Sequence, residues 1–533
     1  MFQILKTNLS SLNSIIKKNI RKVKQSYYHD LLSKFQDNVK KTWGAINSLL
    51  NKTTKKCDFP SYFMYNETKL TDKAEIANKF NEYFSTIGPK LASKISNAGN
   101  GSFKSYLKKN ISCKFKFKQI NHEVIQKIFS NLKPKKSSGH DKLSISLLKQ
   151  ISQHISIPLS LIINQSLNTG IFPSELKMAL VTPIFNKGNK HMFENYRPIS
   201  LLPALSKIFE KVVFNQLSEY FDCRKLLYES QYGFRKSHST ELACLEFIDK
   251  TLTKLDHGEL PLSVFIDLSK AFDTLDHNIL LYKLDHYGVK DVEYNWFNSY
   301  LSERSQIVKM QETLSSPLPM QTGVPQGSIL GPLLFIIYMN DICESSALFD
   351  FILYADDTTL SAPLGEFRFS STGENPSHPT INLELNKIFK WLTANKLSLN
   401  VDKTKFMIFH FPQHKLDKSR IPLIEINGVT IQQVHDFNFL GITITDTLSW
   451  HAHIEKIATK ISRTIGILNR LKHTVNSDTL RVIYNSLILS HLNFGLLSWG
   501  SSTNRIFKLQ KKAVRSIAKA KYNSHTEPLF QLL

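Results

Sequence analysis

Apolar residues recur at two different spacings along this chain of 533 residues, and each spacing predicts a type of element. Residues 1–56 carry apolar side chains three or four positions apart, as helices do, and this pattern returns after Trp450 up to a last stretch at 506–517. Between them, short apolar runs predict strands at 179–185, 262–267, 349–360, 405–409 and 442–444. Helical spacing separates these runs at 284–301, 333–341 and 383–395. The sequence therefore predicts a mixed α+β protein with helical ends.

Turn-forming residues are concentrated in two places, 97–102 and 361–380, and predict a loop at each. The chain is long enough to bury several cores, and its hydrophobic content of 42% is ordinary for a globular protein. We therefore expect roughly two to four compact parts rather than disorder.

Two adjacent carboxylates, Asp356 and Asp357, interrupt the otherwise apolar run 349–360. Burying one ion beside another costs several kcal/mol unless a cation compensates, so the pair indicates a metal-binding tip of a β-hairpin. For such a pair taken alone, the alternative is a solvated turn. Asp267 ends a second apolar strand and supplies a third carboxylate. Three hard oxygen donors are what two Mg²⁺ ions about 3.5–4 Å apart require, so we predict phosphoryl transfer with these residues as catalytic metal ligands.

Further blocks surround these carboxylates in a definite order. Residues 267–277 read Asp-Leu-Ser-Lys-Ala-Phe-Asp-Thr-Leu-Asp-His, and residues 323–332 read Gly-Val-Pro-Gln-Gly-Ser-Ile-Leu-Gly-Pro. Together with the Tyr-Ala-Asp-Asp run at 354–357, they resemble the motifs of reverse transcriptases. The blocks 195–202 and 439–442 narrow the resemblance to non-LTR (LINE-type) retrotransposons, especially jockey-like elements. The resemblance covers nearly the whole chain.

This resemblance implies a right-hand polymerase with fingers, a ferredoxin-like palm and a helical thumb, preceded by a helical extension. Residues 1–115 would form the basic N-terminal extension, 116–445 the reverse transcriptase domain with fingers and palm, and 446–533 a basic helical thumb. The implied enzyme is an RNA-directed DNA polymerase that extends a DNA primer on an RNA template with dNTPs and two Mg²⁺ ions. In the family an endonuclease precedes the polymerase, so we expect another molecule to supply that activity.

The resemblance also assigns roles around the carboxylates. Phe272 stands at the position of the sugar-selecting residue, where an aromatic edge would clash with a ribose hydroxyl; the alternative is a core phenylalanine. Gln326 and Gly327 resemble residues that contact the incoming nucleotide and the template, and glycine allows a close approach of backbone; the alternative is loop punctuation. The other polar residues of the first block are expected to be structural turn and helix-cap residues: Asp273, Asp276 and His277.

Three basic residues are implicated in holding phosphates. Lys187 and Arg197 resemble the fingers residues that bind the triphosphate, and a guanidinium offers a fork of donors matched to phosphate. A solvated surface charge is the alternative for Lys187. Lys403, in a block near the primer terminus, would touch the phosphates or protonate pyrophosphate.

The net charge of +24 lies mainly at the two ends of the chain. Residues 1–60 hold twelve Lys and Arg against three Asp, and residues 451–533 hold thirteen against three acidic residues. Positive charge on helical ends is typical of surfaces that follow a nucleic-acid backbone, here the RNA template and DNA primer. An anionic membrane surface is the weaker alternative.

Five scattered cysteines, none in a Cys-x-x-Cys pair, favour a reducing compartment and argue against a zinc finger. The longest apolar run, 329–339, is too short to cross a bilayer. We therefore expect a soluble intracellular protein, cytoplasmic or nuclear, without a membrane partner.

Two other functions fit parts of the sequence. One is a basic nucleic-acid-binding remnant whose polymerase pocket has decayed, and the intact carboxylates together with Gln326 and Arg197 argue against it. The other is an intron-type maturase with the same polymerase core, which would be expected to carry an additional zinc-nuclease or DNA-binding segment.

Overall fold

Among the residues that the structure describes, helices dominate both ends of the chain, as the spacing of apolar residues predicts. The strands lie between residues 63 and 445, and the first two, before residue 71, were not predicted. The computed structural model describes residues 2–35, 38–50, 59–95, 101–108, 111–364, 378–413 and 423–531. Among these the α-helices are α1 (Phe2–Lys34), α2 (Val39–Leu49), α3 (Lys73–Ser93), α4 (His122–Asn131), α5 (Ile145–Gln150), α6 (Ser152–Thr169), α7 (Ala204–Cys223), α8 (Thr240–Asp256), α9 (His277–His286), α10 (Asp291–Leu301), α11 (Gly331–Met339), α12 (His378–Ala394), α13 (His451–Leu471), α14 (Ser477–Tyr484), α15 (Ser490–Asn493), α16 (Leu496–Trp499), α17 (Asn504–Ile517) and α18 (Glu527–Phe530).

The β-strands of the same residues are short, with eight residues in the longest. In chain order they are β1 (Phe63–Tyr65), β2 (Thr68–Leu70), β3 (Met178–Phe185), β4 (Tyr196–Leu201), β5 (Pro261–Ile266), β6 (Ser305–Met310), β7 (Thr313–Leu314), β8 (Leu318–Pro319), β9 (Asp350–Tyr354), β10 (Asp357–Pro363), β11 (Lys405–Ile408), β12 (Glu425–Ile426), β13 (Val429–Thr430), β14 (Gln432–Gln433), β15 (Asp436–Phe439) and β16 (Ile442–Thr445).

The chain folds into two compact units. Residues 1–58 and 435–533 form one, called here the terminal unit, and residues 59–434 form the other, called the central unit. The terminal unit therefore combines the two basic ends of the chain. The predicted domain boundaries at residues 115 and 445 stay a prediction.

The central unit contains a five-stranded sheet with the strand order β14-β11-β5-β10-β9. β5 pairs antiparallel with β10 and β11, and β10 pairs antiparallel with β9. β5, β9, β10 and β11, with the helices between them, follow the β-α-β-β-α-β order of a ferredoxin-like fold. All residues of β5 are buried, which explains why five of its six residues are apolar, Ser263 being the exception. The predicted α+β fold with a ferredoxin-like palm is confirmed.

Helix α11 is apolar on all sides, and eight of its nine residues are buried accordingly. It belongs to the same core as β5 and the β9–β10 hairpin. Because α11 begins directly after the loop 323–330, its burial anchors that loop in the core.

A second sheet of the central unit has the order β4-β3-β6-β7, with β8 also paired to β6. Helix α3 and strand β1 pack against it through an aromatic cluster in which Phe80 contacts Phe63, Phe193 and Tyr196. Residues 59–93, which the sequence places in the N-terminal extension, therefore share a core with this sheet.

Two predicted elements differ from the structure. The helix predicted at 284–301 is broken into α9 and α10 at Gly288, whose φ is +93°. The segment around Cys113 packs against this glycine so closely that a Cβ would lie 2.3 Å from the carbonyl oxygen of Cys113. The loop predicted at 361–380 begins as strand, since residues 361–363 pair with 261–263, and ends as the start of α12. Its remainder at 365–377, like most of the loop predicted at 97–102, lies outside the described residues.

In its described residues, the terminal unit consists of helices and their connections apart from the β15–β16 hairpin. Leu32 and Ile46 from the first two helices share its core with Ile461, Leu480 and Trp499, so the two ends of the chain fold together. The predicted helix at 506–517 is confirmed as α17, with its apolar stripe buried at Ile506, Ala513 and Ile517. None of the helices in the described part of the chain combines the length and apolar character that crossing a bilayer requires.

Candidate active site

The three predicted carboxylates lie at one end of the ferredoxin-like sheet. β5 ends at Ile266, directly before Asp267, and the β9–β10 hairpin turns at Ala355 and Asp356. Ile266 pairs with Thr358, so the register continues to Asp267 opposite Asp357. Backbone pairing between two strands therefore brings together carboxylates that lie about ninety residues apart in the chain.

The pKa values of Asp356 and Asp357 are raised above that of a free aspartate. Loss of water around Asp357, together with repulsion by Asp356 and Asp267, raises its pKa to about 6. The pKa of Asp356 is raised by partial burial and by repulsion from Asp267, while Arg197 lowers it. Both residues still have much of their surface open to solvent, which screens the repulsion. A bound cation would relieve the repulsion among these three carboxylates.

All nine predicted site residues line one cleft with a volume of about 700 Å³. The three carboxylates share this cleft with six residues proposed to bind substrate: Lys187, Arg197, Phe272, Gln326, Gly327 and Lys403. The structure therefore brings together every residue that the sequence proposed for the site. Their individual roles stay predictions.

The basic residues reach the cleft from different elements. Lys403 Nζ lies 3.2 Å from Asp267 Oδ2 and forms an ion pair with it. This lysine follows Asn400, whose backbone N–H donates to the carbonyl of Asp267 at 2.9 Å. Arg197 is exposed on β4, and Lys187 is exposed in the connection between β3 and β4. Arg197 and Lys187 thus reach the cleft from the second sheet, and Lys403 reaches it from the loop before β11.

Phe272 is half-buried and belongs partly to the core. Its ring stacks on Phe335 of α11 with the centroids 4.4 Å apart and the planes inclined by 20°. Phe234 meets the ring edge to face at 6.2 Å. Phe272 therefore lines the cleft while being held by two aromatic neighbours, so the two interpretations of this residue are compatible.

The loop 323–330 is held by strand β4. Ser200 N–H donates to the carbonyl of Gln326 at 2.8 Å. Gly327 has φ +134°, and a Cβ there would lie 2.4 Å from the carbonyl oxygen of Ser200. A glycine is needed at this position because two backbones pass closely, whatever Gly327 does toward a nucleotide. The buried carboxylate of Glu210 holds the far end of the loop by accepting the N–H groups of Ile329 and Leu330.

Asp273 contacts a site residue, which the sequence did not indicate. Its Oδ1 accepts a hydrogen bond from Gln326 Nε2 at 2.8 Å. The neighbouring expectations hold: Asp276 caps helix α9 through Ile279 N–H, and a ring nitrogen of His277 lies 2.7 Å from the carbonyl oxygen of Gly323. The one available signal was the position of Asp273 directly after Phe272.

Gln231 braces the carboxylate hairpin and was also missed. Its buried Oε1 accepts the N–H groups of Gly233 at 2.8 Å and of Ala355 at 3.3 Å. Ala355 needs such support because its φ of +58° is unusual for a residue with a side chain. Gly233 permits the contact, since a Cβ there would lie 2.4 Å from Ala355 N.

Lys270 is a further cation of the cleft. Its Nζ donates to the carbonyl oxygens of Glu194 at 3.1 Å and Tyr196 at 3.2 Å. Burial lowers its pKa, and the nearby positive charges of Arg197 and Lys403 add to this effect. Its hydrogen bonds tie the segment after β5 to the segment leading into β4.

We expect Asp357→Asn to stabilise the protein at pH 8 when divalent cations are absent. The pKa of Asp357 is about 6 in the folded state against an ordinary value of 3.8, so protonation favours the folded protein. The stability that this provides is lost as the pH rises from about 3.8 through 6. Solvent screening limits the gain on substitution to no more than about 1 kcal/mol.

Thermal unfolding of both proteins at pH 8 and pH 5 would measure this effect. The advantage of the variant should fall by about half at pH 5. Asp350→Asn, on the same hairpin but ion-paired with Lys254, should show no such advantage at pH 8. An Asp357→Asn protein that is less stable than the wild type at pH 8 would show that repulsion does not govern this site.

Comparison with known proteins gives a consistent result. Residues 186–444 match the family model described as reverse transcriptase (RNA-dependent DNA polymerase). The chain is 31% identical over 429 residues to the probable RNA-directed DNA polymerase from transposon BS of Drosophila melanogaster, covering 76% of this chain and 45% of that protein. It is 27% identical over 439 residues to the RNA-directed DNA polymerase from mobile element jockey of the same species, covering 80% and 46%.

A third relative is the probable RNA-directed DNA polymerase from transposon X-element of Drosophila melanogaster, with 26% identity over 72% of this chain and 42% of that protein. The chain spans less than half the length of these curated relatives. A solved structure of telomerase from Candida albicans matches with a TM-score of 0.33 and 12% identity, covering 68% of this chain and 64% of that chain; such a score does not by itself establish a shared fold. The predicted resemblance is confirmed: residues 186–444 match the reverse transcriptase family, and the chain is similar to the RNA-directed DNA polymerases of the non-LTR elements BS, jockey and X.

Proposed function

We propose that this protein is an RNA-directed DNA polymerase that extends a DNA primer on an RNA template with dNTPs. The observation that carries the proposal is the cleft in which three carboxylates, contributed by the end of β5 and the β9–β10 turn, lie together with the predicted nucleotide-binding residues. Opposed negative and positive groups in one cleft suit a substrate that carries phosphates, because the basic side chains can bind its phosphates and the carboxylates could hold divalent cations. A primer end supplied by an endonuclease on another molecule and an intracellular location remain predictions.

The proposal includes Asp267, Asp356 and Asp357 as ligands of two Mg²⁺ ions. Reverse transcriptases generally use divalent metal ions. Among the described residues, no group of three His, Cys, Asp or Glu side chains has the geometry of a metal site, and this includes the three carboxylates of the cleft. The donor chemistry nevertheless fits, because mutual repulsion of these carboxylates is what a hard divalent cation relieves. A cation would compete with Lys403 for the carboxylate of Asp267.

When bound, the ions would supply activation of the primer 3′-hydroxyl and stabilisation of the leaving pyrophosphate. The remaining steps belong to the side chains of the cleft. Arg197 and Lys187 would bind the triphosphate from the second sheet. Phe272 would lie against the sugar, and Gln326 with Gly327 would contact the nascent base pair. Lys403, displaced from Asp267, would be placed to bind a phosphate oxygen or protonate pyrophosphate.

Primer extension on poly(rA)/oligo(dT) with purified protein, dTTP and Mg²⁺ tests this function. We expect incorporation that stops when EDTA is added and that resumes with excess Mg²⁺. Under the alternative of a decayed remnant, the protein would bind the primer-template without extending it. Parallel binding measurements separate that outcome from a protein that has not folded.

We also propose that basic residues of the terminal unit contact the phosphate backbone of the template. Lys508 and Lys512 are exposed on α17, whose opposite face is buried. Replacing both with Gln should weaken RNA binding and reduce the slope of log affinity against log salt by roughly 1.4, about 0.7 for each lost contact to a single strand. Removing whole chain ends is a poorer test, because both ends share one core.

A matched variant carries Gln at Lys94 and Lys127, two exposed lysines of the central unit. It loses the same formal charge and controls for long-range electrostatics. Equal slopes for the wild type and the α17 variant would show that these two lysines do not contact phosphate.

A further inference from the structure

Asp273 is an acidic residue of the cleft region that the proposed chemistry does not use. Part of the residue surface is open, but its carboxyl group is buried. Oδ1 accepts the hydrogen bond from Gln326 Nε2, and Oδ2 has no hydrogen-bond partner among the described residues. Burying a carboxylate with one oxygen unpaired is costly, so the cost calls for a compensating function.

The backbone around Asp273 is fastened to the loop that carries Gln326. Val324 N–H donates to the carbonyl of Phe272 at 3.0 Å, and Thr322 Oγ1 donates to the carbonyl of Asp273 at 3.0 Å. Gly323 packs so closely that a Cβ there would lie 2.8 Å from Asp273 Cα. These contacts fix the distance between the two segments and leave the side-chain hydrogen bond with little freedom.

An ionised carboxylate accepts hydrogen bonds and cannot donate them. It therefore determines the orientation of the Gln326 amide, whose NH₂ group must point toward Asp273. The carbonyl oxygen Oε1 is then the end of the amide that remains to accept a hydrogen bond from another group. Without this restraint, the amide would rotate between two states that differ in which end donates and which accepts.

We propose that Asp273 is a positioning residue that orients the amide of Gln326 toward the incoming nucleotide and its template base. This inference rests on the proposed polymerase function, in which Gln326 contacts the nucleotide. Asp273 acts through Gln326 and does not touch the substrate. Burial raises the pKa of Asp273 to about 6, with Gln326 and Lys270 opposing this effect, so the carboxylate is ionised at pH 8.

A double-mutant cycle tests the proposal. KM and kcat for dTTP are measured on poly(rA)/oligo(dT) at pH 8 for wild type, Asp273→Ala, Gln326→Ala and the double variant. We expect Asp273→Ala to raise KM roughly tenfold with a smaller change in kcat, as loss of one hydrogen bond to a charged group would. In the Gln326→Ala background, removal of Asp273 should change KM by less than about twofold, because its partner is already absent.

Asp273→Asn provides a second variant of nearly unchanged shape in case the alanine protein does not fold. Its amide no longer dictates the orientation of Gln326, so the preference for dTTP over mismatched dGTP should fall several-fold. Asp276→Ala is the control: it removes the α9 cap and the ion pair with Lys396 and should lower the melting temperature without changing KM.

Each result has a distinct meaning. An equal effect of Asp273→Ala with and without Gln326, or a loss of kcat and stability at constant KM, would overturn the positioning role. Unchanged discrimination in Asp273→Asn would overturn it as well. A folded wild-type protein that extends no primer would instead refute the proposed function, before any variant is compared.

Discussion

Asp267→Asn and Asp356→Asn should each reduce dNTP incorporation at least about a thousandfold while leaving RNA affinity within about twofold of the wild type. Each substitution replaces an anionic oxygen by a neutral amide of the same shape, so the cleft keeps its form and loses a ligand for the cations. Asp267→Asn should show the effect although Asp267 forms an ion pair with Lys403 in this structure. The asparagine amide binds neither Mg²⁺ nor the Lys403 ammonium group well. Primer extension and fluorescence anisotropy on the same protein samples give the two quantities.

Asp350→Asn is the matched control. Asp350 lies on β9 of the same hairpin but forms an ion pair with Lys254 and does not line the cleft. It should retain extension close to the wild-type rate. A rate within tenfold of the wild type for Asp267→Asn or Asp356→Asn would contradict their assignment as metal ligands. Loss of RNA binding in parallel with extension would instead indicate damage to the fold.

The sheet that positions these carboxylates was predictable because its strands are buried. β5 is buried at every position and is apolar except at Ser263, so the change to an ionisable aspartate directly after its end is conspicuous. The β9–β10 hairpin around Asp356 and Asp357 is likewise buried in the middle of both strands, although its strand ends are more exposed. Backbone pairing then fixes the register of β10 on β5. These strands could be predicted because a buried strand leaves a recognisable run of apolar residues in the sequence.

Prediction failed where the cause lies far away in the chain. The break between α9 and α10 exists because the chain near Cys113 passes over Gly288, and no spacing of apolar residues records that contact. Nor does sequence indicate that Leu32 shares a core with Ile461. Such contacts depend on how distant segments pack, which local propensity does not encode.

The site shows the same division. Its carboxylates and phosphate-binding candidates lie in blocks whose residue types are informative, and all nine line one cleft. Asp273 and Gln231 act on partners 53 and 124 residues away, through single hydrogen bonds. The polar character of these two residues alone could not distinguish a positioning role from a surface turn. The sequence analysis explained Gly327 by a close contact between its backbone and a nucleotide. In the structure, the backbone of Gly327 packs closely against the carbonyl oxygen of Ser200.

Replacing Phe272 with Val should relax selection against ribonucleotides by one to two orders of magnitude. The ring is held by stacking on Phe335 and by the edge contact with Phe234, so it cannot turn aside from a 2′-hydroxyl without losing these contacts. The smaller side chain leaves the carboxylates untouched and opens space beside the sugar. Each ~1.4 kcal/mol of steric clash that is relieved should lower the preference for dTTP over UTP, measured by kcat/KM, roughly tenfold.

The quantity to measure is the ratio of kcat/KM for dTTP to kcat/KM for UTP on poly(rA)/oligo(dT). Overall activity should fall somewhat, because the ring also packs against the core, and the ratio corrects for that loss. Phe247→Leu changes a buried aromatic residue that packs on Phe265 and Phe409 but does not line the cleft. It should lower the melting temperature and leave the ratio unchanged. An active Phe272→Val protein with the wild-type ratio would assign Phe272 to the core and place sugar selection on another residue.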